Sequence, residues 1–238
     1  MKLMIIGASK GLGRTFVEGL CQPGDTVIGV SRRRPVQLAC PQGVELQWIE
    51  ADLSQPLIAA EHIAAQSPAD LDVLIHNLGI WEETAFSDDY AFLSETDSAL
   101  ATLVDVNITA TLLLLKRLLP RLLGSRRPQL VLTGSTSGLA RSGRPEVAFG
   151  ASKFALNGIA DALREGFRTQ RLAVTTLQLG YLNTDDALGV PVHAAAARGD
   201  GAQVPVHDVV AMVRALLALS PSGFVRELVL PAINDTRF

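Results

Sequence analysis

Apolar and polar positions along this chain follow two alternating periods. Short β-rich runs predict strands at 2–6, 26–30, 44–50, 71–76, 129–133, 172–179 and 224–230, and several of them, such as Leu71-Asp72-Val73-Leu74-Ile75, are near-continuous apolar runs, as expected of strands buried on both faces. Between them, longer stretches with helical spacing predict helices over 12–21, 54–66, 96–123, 146–170 and 206–219. Strands that alternate with helices in this way build a parallel sheet covered by helices. The crossover from Ser31 to Gly43 contains Pro35 and Pro41, so only a short or broken helix is expected there. Leu188 to Val204 is rich in Ala and Gly without clear periodicity and reads as a mobile loop, placed where open α/β folds set ligand-covering segments.

The length of 238 residues suits one domain with a large core, and no repeat or linker divides it. A net charge of −3 gives no broad field for nucleic acid or an anionic membrane surface. The only cysteines, Cys21 and Cys40, provide neither a disulfide framework nor metal-ligand spacing, and no metal is expected. Lys116 and Arg117 interrupt the longest apolar stretch, Leu112 to Leu115, and the opening apolar run is too short for a secretory core, so a cytoplasmic protein without a membrane span is expected.

Gly7-Ala8-Ser9-Lys10-Gly11-Leu12-Gly13 follows the first strand and opens the first helix. Glycines there let a pyrophosphate approach the backbone, and the helix N-terminus offers free N–H groups and partial positive charge. This GxxxGxG spacing at the start of a strand–helix alternation resembles the short-chain dehydrogenase/reductase family, and the resemblance extends over nearly the whole chain. It implies a single-domain, Rossmann-type doubly wound fold, with a mostly parallel seven-stranded sheet and helices on both faces. His76-Asn77-Leu78-Gly79 is similar to the family's Asn-Asn-Ala-Gly segment, with Asn77 and Gly79 kept. Asp52, followed by Leu53, stands where the family contacts the adenine, and it could equally cap the helix at 54–66. Gly180 and Thr184 match the glycine and threonine of the PGxxxT segment, whose proline is here Leu179.

An NAD-selective site usually carries an acidic residue roughly 20 residues after the glycine turn. This chain has Ser31-Arg32-Arg33-Arg34 instead, and Arg32 with Lys10 resembles the basic pair of NADP-preferring members. The resemblance therefore implies NADP(H).

Of the four residues that perform the family's chemistry, the resemblance finds three. Asn107 lies in the long helix, at the site of a local break. Ser135 would polarise a carbonyl, with Ser137 as its rival, and Lys153 would hold the nicotinamide ribose. Phe149-Gly150-Ala151-Ser152-Lys153 is similar to the YxxxK segment, with Phe149 at the tyrosine position. Without a phenol there, the acid/base step lacks its usual group. Four readings stay open: an oxidoreductase that recruits Tyr181, Ser135, Lys153 or a water; an NADP(H)-binding family member without turnover that senses redox state or regulates a partner; a Tyr-to-Phe variant made to trap ligand; and a branch whose reaction needs hydride transfer without the tyrosine. Ile80-Trp81-Glu82, Leu139 to Glu146 and the loop after Thr184 would line the substrate side, which suits a small-molecule carbonyl or alcohol of limited polarity. The resemblance also implies a homodimer or homotetramer paired through helices 96–123 and 146–170.

Overall fold

A computed structural model describes residues 1–238. In chain order the elements are β1 (Lys2–Ile6), α1 (Gly11–Gly19), β2 (Thr26–Ser31), β3 (Glu45–Glu50), α2 (Pro56–Gln66), β4 (Val73–His76), α3 (Asp97–Val104) and α4 (Ala110–Leu122). They continue with β5 (Gln129–Thr133), α5 (Val147–Gly166), β6 (Ala173–Leu179), β7 (Leu182–Asn183), α6 (Val192–Gly199), β8 (Val204–Pro205), α7 (Val206–Leu217) and β9 (Glu227–Leu230). Seven strands form one sheet in the order β3-β2-β1-β4-β5-β6-β9, and every pairing is parallel. The expected Rossmann-type architecture is present.

Side chains alternate across each strand, so the central strands feed two cores at once. In β1, Met4 and Ile6 face the core under α2, α4 and α5, while Leu3 and Ile5 face the one under α1 and α7. Leu114, Leu118 and Leu122 recur every fourth residue on α4 and are fully buried against the first core. The run Asp97–Leu122 is long and apolar enough to cross a bilayer by length and composition, but that stripe is packed on the sheet.

The direction in which successive strands are added to the sheet reverses between β1 and β4. One half runs outward through β2 and β3, the other through β5, β6 and β9. The carboxyl ends of β1 and β4 therefore diverge into a crevice, the place where open α/β sheets bind ligands.

Three local expectations need correction. The segment read as a mobile loop holds α6, because four consecutive alanines after Val192-His193 favour helix and Ala195 packs into the fold. It is also bounded by a two-stranded parallel ribbon, β7 with β8. The 31–43 crossover contains no helix. Its two prolines leave an irregular path, in which the N–H of Arg34 donates to Glu50 Oε1 and that of Ala39 to Glu18 Oε1. Finally, α2 starts at Pro56 behind Gln55, so Asp52 does not cap it; Asp52 Oδ1 accepts instead from the N–H of Ser54 in the preceding turn.

Candidate active site

The glycine turn is held open by close approaches that no side chain could share. A Cβ on Gly13 would stand 1.9 Å from the Gly7 carbonyl oxygen, and one on Gly7 would meet the Asn77 carbonyl oxygen at 2.2 Å. Gly7 and Gly11 also adopt φ of +80° and +50°, which glycine enters without penalty. The N–H groups of Gly7 and Ala8 donate to Val30 O at 2.9 and 3.1 Å, pinning the turn to the end of β2. α1 then begins at Gly11 without a side-chain cap and without an acidic residue in its first turn. Its leading N–H groups thus face the crevice with no anion of the protein's own. Asn77 closes one wall, donating from Nδ2 to Gly7 O at 3.5 Å, and Thr184 lies against Gly11 from the chain that follows β7.

Lys153 is drawn to the next gap in the sheet. On α5 its side chain is 6% exposed, and Nζ donates to Thr133 O at 3.0 Å and Leu78 O at 3.5 Å, at the carboxyl ends of β5 and β4. No carboxylate pairs with it, so burial lowers its pKa from 10.5 to about 8. Gly79 gives it room, since a Cβ there would come within 3.2 Å of Nζ. His76 lies beside this ammonium fully buried, with Nε2 3.2 Å from Thr111 Oγ1; burial and then the Lys153 charge lower its pKa to about 3, leaving a neutral ring.

The expected break in the long helix is a π-turn, Asp105–Thr109, and Asn107 sits in it. Its side chain pairs with both backbone groups of one residue: Oδ1 accepts from Ile80 N–H at 2.9 Å, and Nδ2 donates to Ile80 O at 2.8 Å. Nδ2 also donates to Ser152 Oγ at 3.0 Å, and that hydroxyl donates to Phe149 O at 2.7 Å. Asn107 thereby ties the segment after β4 to the first turn of α5. Ser135 follows β5, with its N–H donating to Gln178 Oε1 at 3.1 Å and its Oγ accepting from Ser137 N–H at 3.1 Å. Ser137 is 4% exposed inside the short 3₁₀ turn Thr136–Gly138, which packs on α5, while Ser135 is half-buried at its mouth.

Phe149 is packed in an aromatic group. Its ring meets Phe86 and Trp81 edge-on, with centroids 5.1 and 6.4 Å apart, and Phe86 meets Tyr181 at 6.0 Å. The Lys153 ammonium lies 5.5 Å from the Phe149 ring centroid. Tyr181 Oη accepts from Arg144 Nη1 at 2.8 Å, and Arg144 is also paired with Asp235. Arg144 and Asp235 side chains are 4% and 3% exposed.

The residues expected to line a substrate surface divide. Trp81 and Phe149 do form an apolar wall, but Glu82 and Glu146 are buried braces. Glu82 Oε1 accepts from the N–H groups of Ala148 and Phe149 at 2.9 and 3.2 Å, so it caps α5 from across the fold. Glu146 Oε1 accepts from the N–H of Phe86, which stands at a φ of +67°. Phe86 and Asp235 carry no sequence signal as site residues, and Arg144 is expected only as part of the 139–146 stretch on the substrate side. Arg144 and Asp235 are 91 positions apart, and no local spacing signals such a pair.

The remaining candidates lie apart from this group. Arg32 is exposed past the end of β2, and Ser31 spends its hydroxyl on Arg33 O and on Trp48 Nε1–H. Asp52 is exposed while the Leu53 side chain belongs to the core. Lys10 is exposed at the start of α1, Ser9 and Leu12 flank the turn, and Gly180 packs against Pro231 at the end of β6.

Known proteins share both the sequence and the shape. The chain is 32% identical over 196 residues to the uncharacterized oxidoreductase YciK of Escherichia coli, covering 76% of this chain and 73% of that one. It is 27% identical over 197 residues to the NADPH-dependent pterin aldehyde reductase of Arabidopsis thaliana, covering 77% and 75%. Among solved structures, the Pseudomonas aeruginosa RhlG/NADP active-site complex superposes with a TM-score of 0.76 at 21% identity, over 100% of this chain and 96% of that one. The sequence profile described as short chain dehydrogenase matches residues 2–189, and this chain belongs to that oxidoreductase family.

Proposed function

We propose that this chain is an NADP(H)-dependent oxidoreductase acting on a carbonyl/alcohol pair of limited polarity, with Phe149 in place of the usual acid/base tyrosine. The observation that carries this reading is the Lys153 ammonium, held without a carboxylate between the ends of β4 and β5, next to a crevice whose glycines leave no room for a Cβ. A cradle of bare backbone beside an uncapped helix N-terminus fits a pyrophosphate.

In this reading Gly7, Ser9, Lys10, Gly11, Leu12 and Gly13 bind the pyrophosphate, and Ser31, Arg32 and Lys10 hold the 2′-phosphate. Asp52 and Leu53 border the adenine, Asn77, Gly79 and Lys153 hold the nicotinamide ribose, and Gly180 and Thr184 orient the carboxamide. The cofactor, when bound, supplies or accepts the hydride. Ser135 polarises the substrate oxygen. Asn107 positions the start of α5 through Ser152 and the segment after β4 through Ile80. NADP(H) is favoured over NAD(H) by the absence of a carboxylate in Ser31 to Arg34, and the NADPH dependence of the pterin aldehyde reductase agrees with it.

Among donors that could replace a phenol at 149, Tyr181 is the best placed chemically. Its oxygen accepts from Arg144, which leaves its own O–H proton free to be given away. The second reading, a cofactor-binding protein without turnover that senses redox state or regulates a partner, is favoured by Phe149 itself, packed among aromatic rings. We further propose a cytoplasmic homodimer or homotetramer paired through the 97–122 and 147–166 helices, which expose Val104, Leu112, Val147 and Phe154.

The test is NADPH oxidation over a panel of carbonyl substrates, on the chain as it stands and on Phe149→Tyr and Tyr181→Phe. Activity that Tyr181→Phe abolishes assigns the proton to Tyr181. Activity confined to Phe149→Tyr supports the non-catalytic reading, and failure of every form to bind NADPH overturns both.

A further inference from the structure

A charged cavity lies at the other end of the strands from the crevice, beside the amino ends of β5, β6 and β9. It encloses about 420 Å³ between the end of α5, the turn entering β6 and the segment before β9, and five arginines line it: Arg127, Arg164, Arg168, Arg171 and Arg226. Two carboxylates share the lining. Asp161 pairs with both Arg164 and Arg226, at 2.7 and 2.8 Å, and Glu165 pairs with Arg168. Arg127 and Arg171 have no carboxylate partner, in a protein whose net charge is −3.

Arg127 carries the argument. Its Nη1 donates to Leu217 O at 3.0 Å, but Nε and Nη2 are buried and unpartnered. Buried donors are nearly always satisfied, so two unmade N–H groups on one guanidinium beside this cavity are an anomaly that an anion reaching them would resolve. Arg171 stands at the cavity lining with φ of +57°, a backbone state that side chains other than glycine and asparagine seldom adopt. Arg164 is held below the ordinary arginine range, first by burial, with Arg226's like charge adding to it. The end of α5 presents carbonyls with partial negative charge, which opposes an anion there, and the arginines outnumber that effect.

We infer that this cavity binds a small phosphorylated anion, with Arg127 and Arg171 gripping its phosphoryl oxygens. Guanidinium forks match that geometry, and the volume suits a small molecule. The half-exposed Phe224 offers an apolar surface for the remainder of such a molecule. This site does not depend on the proposed redox function. Fifteen residues of helix and turn separate Lys153 from Arg168, or roughly 22 Å at helical rise.

Calorimetric titration of the full chain with inorganic pyrophosphate tests it, at low salt and with a Lys10→Ala/Arg32→Ala form run in parallel. Arg127→Gln and Arg171→Asn should each weaken the cavity's binding about tenfold or more, whereas the Lys10/Arg32 form should lose only a separate glycine-turn component and keep the one that depends on Arg127 and Arg171. Asparagine tolerates the backbone at 171, so a folded variant is available even where Arg127→Gln melts early. Binding lost only in the Lys10/Arg32 form would put the pyrophosphate on the glycine turn and overturn the proposal. Absence of binding to the parent chain, or citrate binding as tightly as pyrophosphate, would overturn the site or its ligand class.

Discussion

The buried Lys153 ammonium should make this protein more stable, not less, as pH rises through the mildly alkaline range. In the fold Nζ reaches two carbonyls and no carboxylate, and burial lowers its pKa from 10.5 to about 8. Below pH 8 the lysine is charged in both the folded and unfolded states, and its desolvation cost is fully present. Between about pH 8 and 10.5 the unfolded chain holds the proton more often, so stability rises with pH; above that window the cost is gone. A gap of about 2.5 pKa units corresponds to roughly 3 kcal/mol, of which about 2 kcal/mol is recovered between pH 7.5 and 9.5. Lys153→Met removes the titrating group while keeping its apolar stem. Urea unfolding of both forms at pH 7.5, 8.5 and 9.5 isolates the lysine, because every other group titrates in common. The stability difference between parent and variant should move by about 2 kcal/mol in favour of the parent as pH rises. A flat difference, or one moving the other way, would mean that the ammonium is compensated by an anion and that the reasoning is wrong.

Other positions yield sharper yes-or-no outcomes. Gly13→Ala places a Cβ 1.9 Å from a backbone oxygen; it should lower the melting temperature and remove NADPH binding, as seen by fluorescence titration. Arg32→Asp should weaken NADPH at least tenfold while sparing NADH, since it takes away a charge-assisted contact; equal losses for both cofactors would remove Arg32 from the 2′-phosphate. Arg144→Met leaves Asp235 buried without its cation, which should cost about 3–5 kcal/mol in chemical denaturation, and Arg144→Met/Asp235→Leu should recover most of it. If the chain pairs as proposed, Phe154→Glu should shift it toward monomer in light scattering, with a circular dichroism spectrum like the parent's.

What could be read from the sequence followed from local rules. Each central strand and its crossover declared itself through residues close in sequence, and the π-turn at Asn107 fell where the resemblance set a break. Signals failed where geometry arises between distant segments or where composition misleads. The alanines of α6 carry little periodicity because alanine is apolar without being large, so a helix that buries chiefly Ala195 looks like a loop. Glu82 and Glu146 looked like substrate-facing groups because charged residues seldom bury, yet each found backbone N–H groups to satisfy at or beside the start of α5. Those braces bear on Phe149 directly. Its N–H is held by Glu82, its carbonyl by Ser152 and hence by Asn107, and its ring by Phe86 and Trp81. The backbone at 149 is therefore held through its N–H and its carbonyl, neither of which depends on what the ring carries. Phe149→Tyr keeps those backbone contacts while adding an oxygen to a ring buried among Phe86 and Trp81, so its melting temperature, measured beside its activity, separates a change in chemistry from a change in folding.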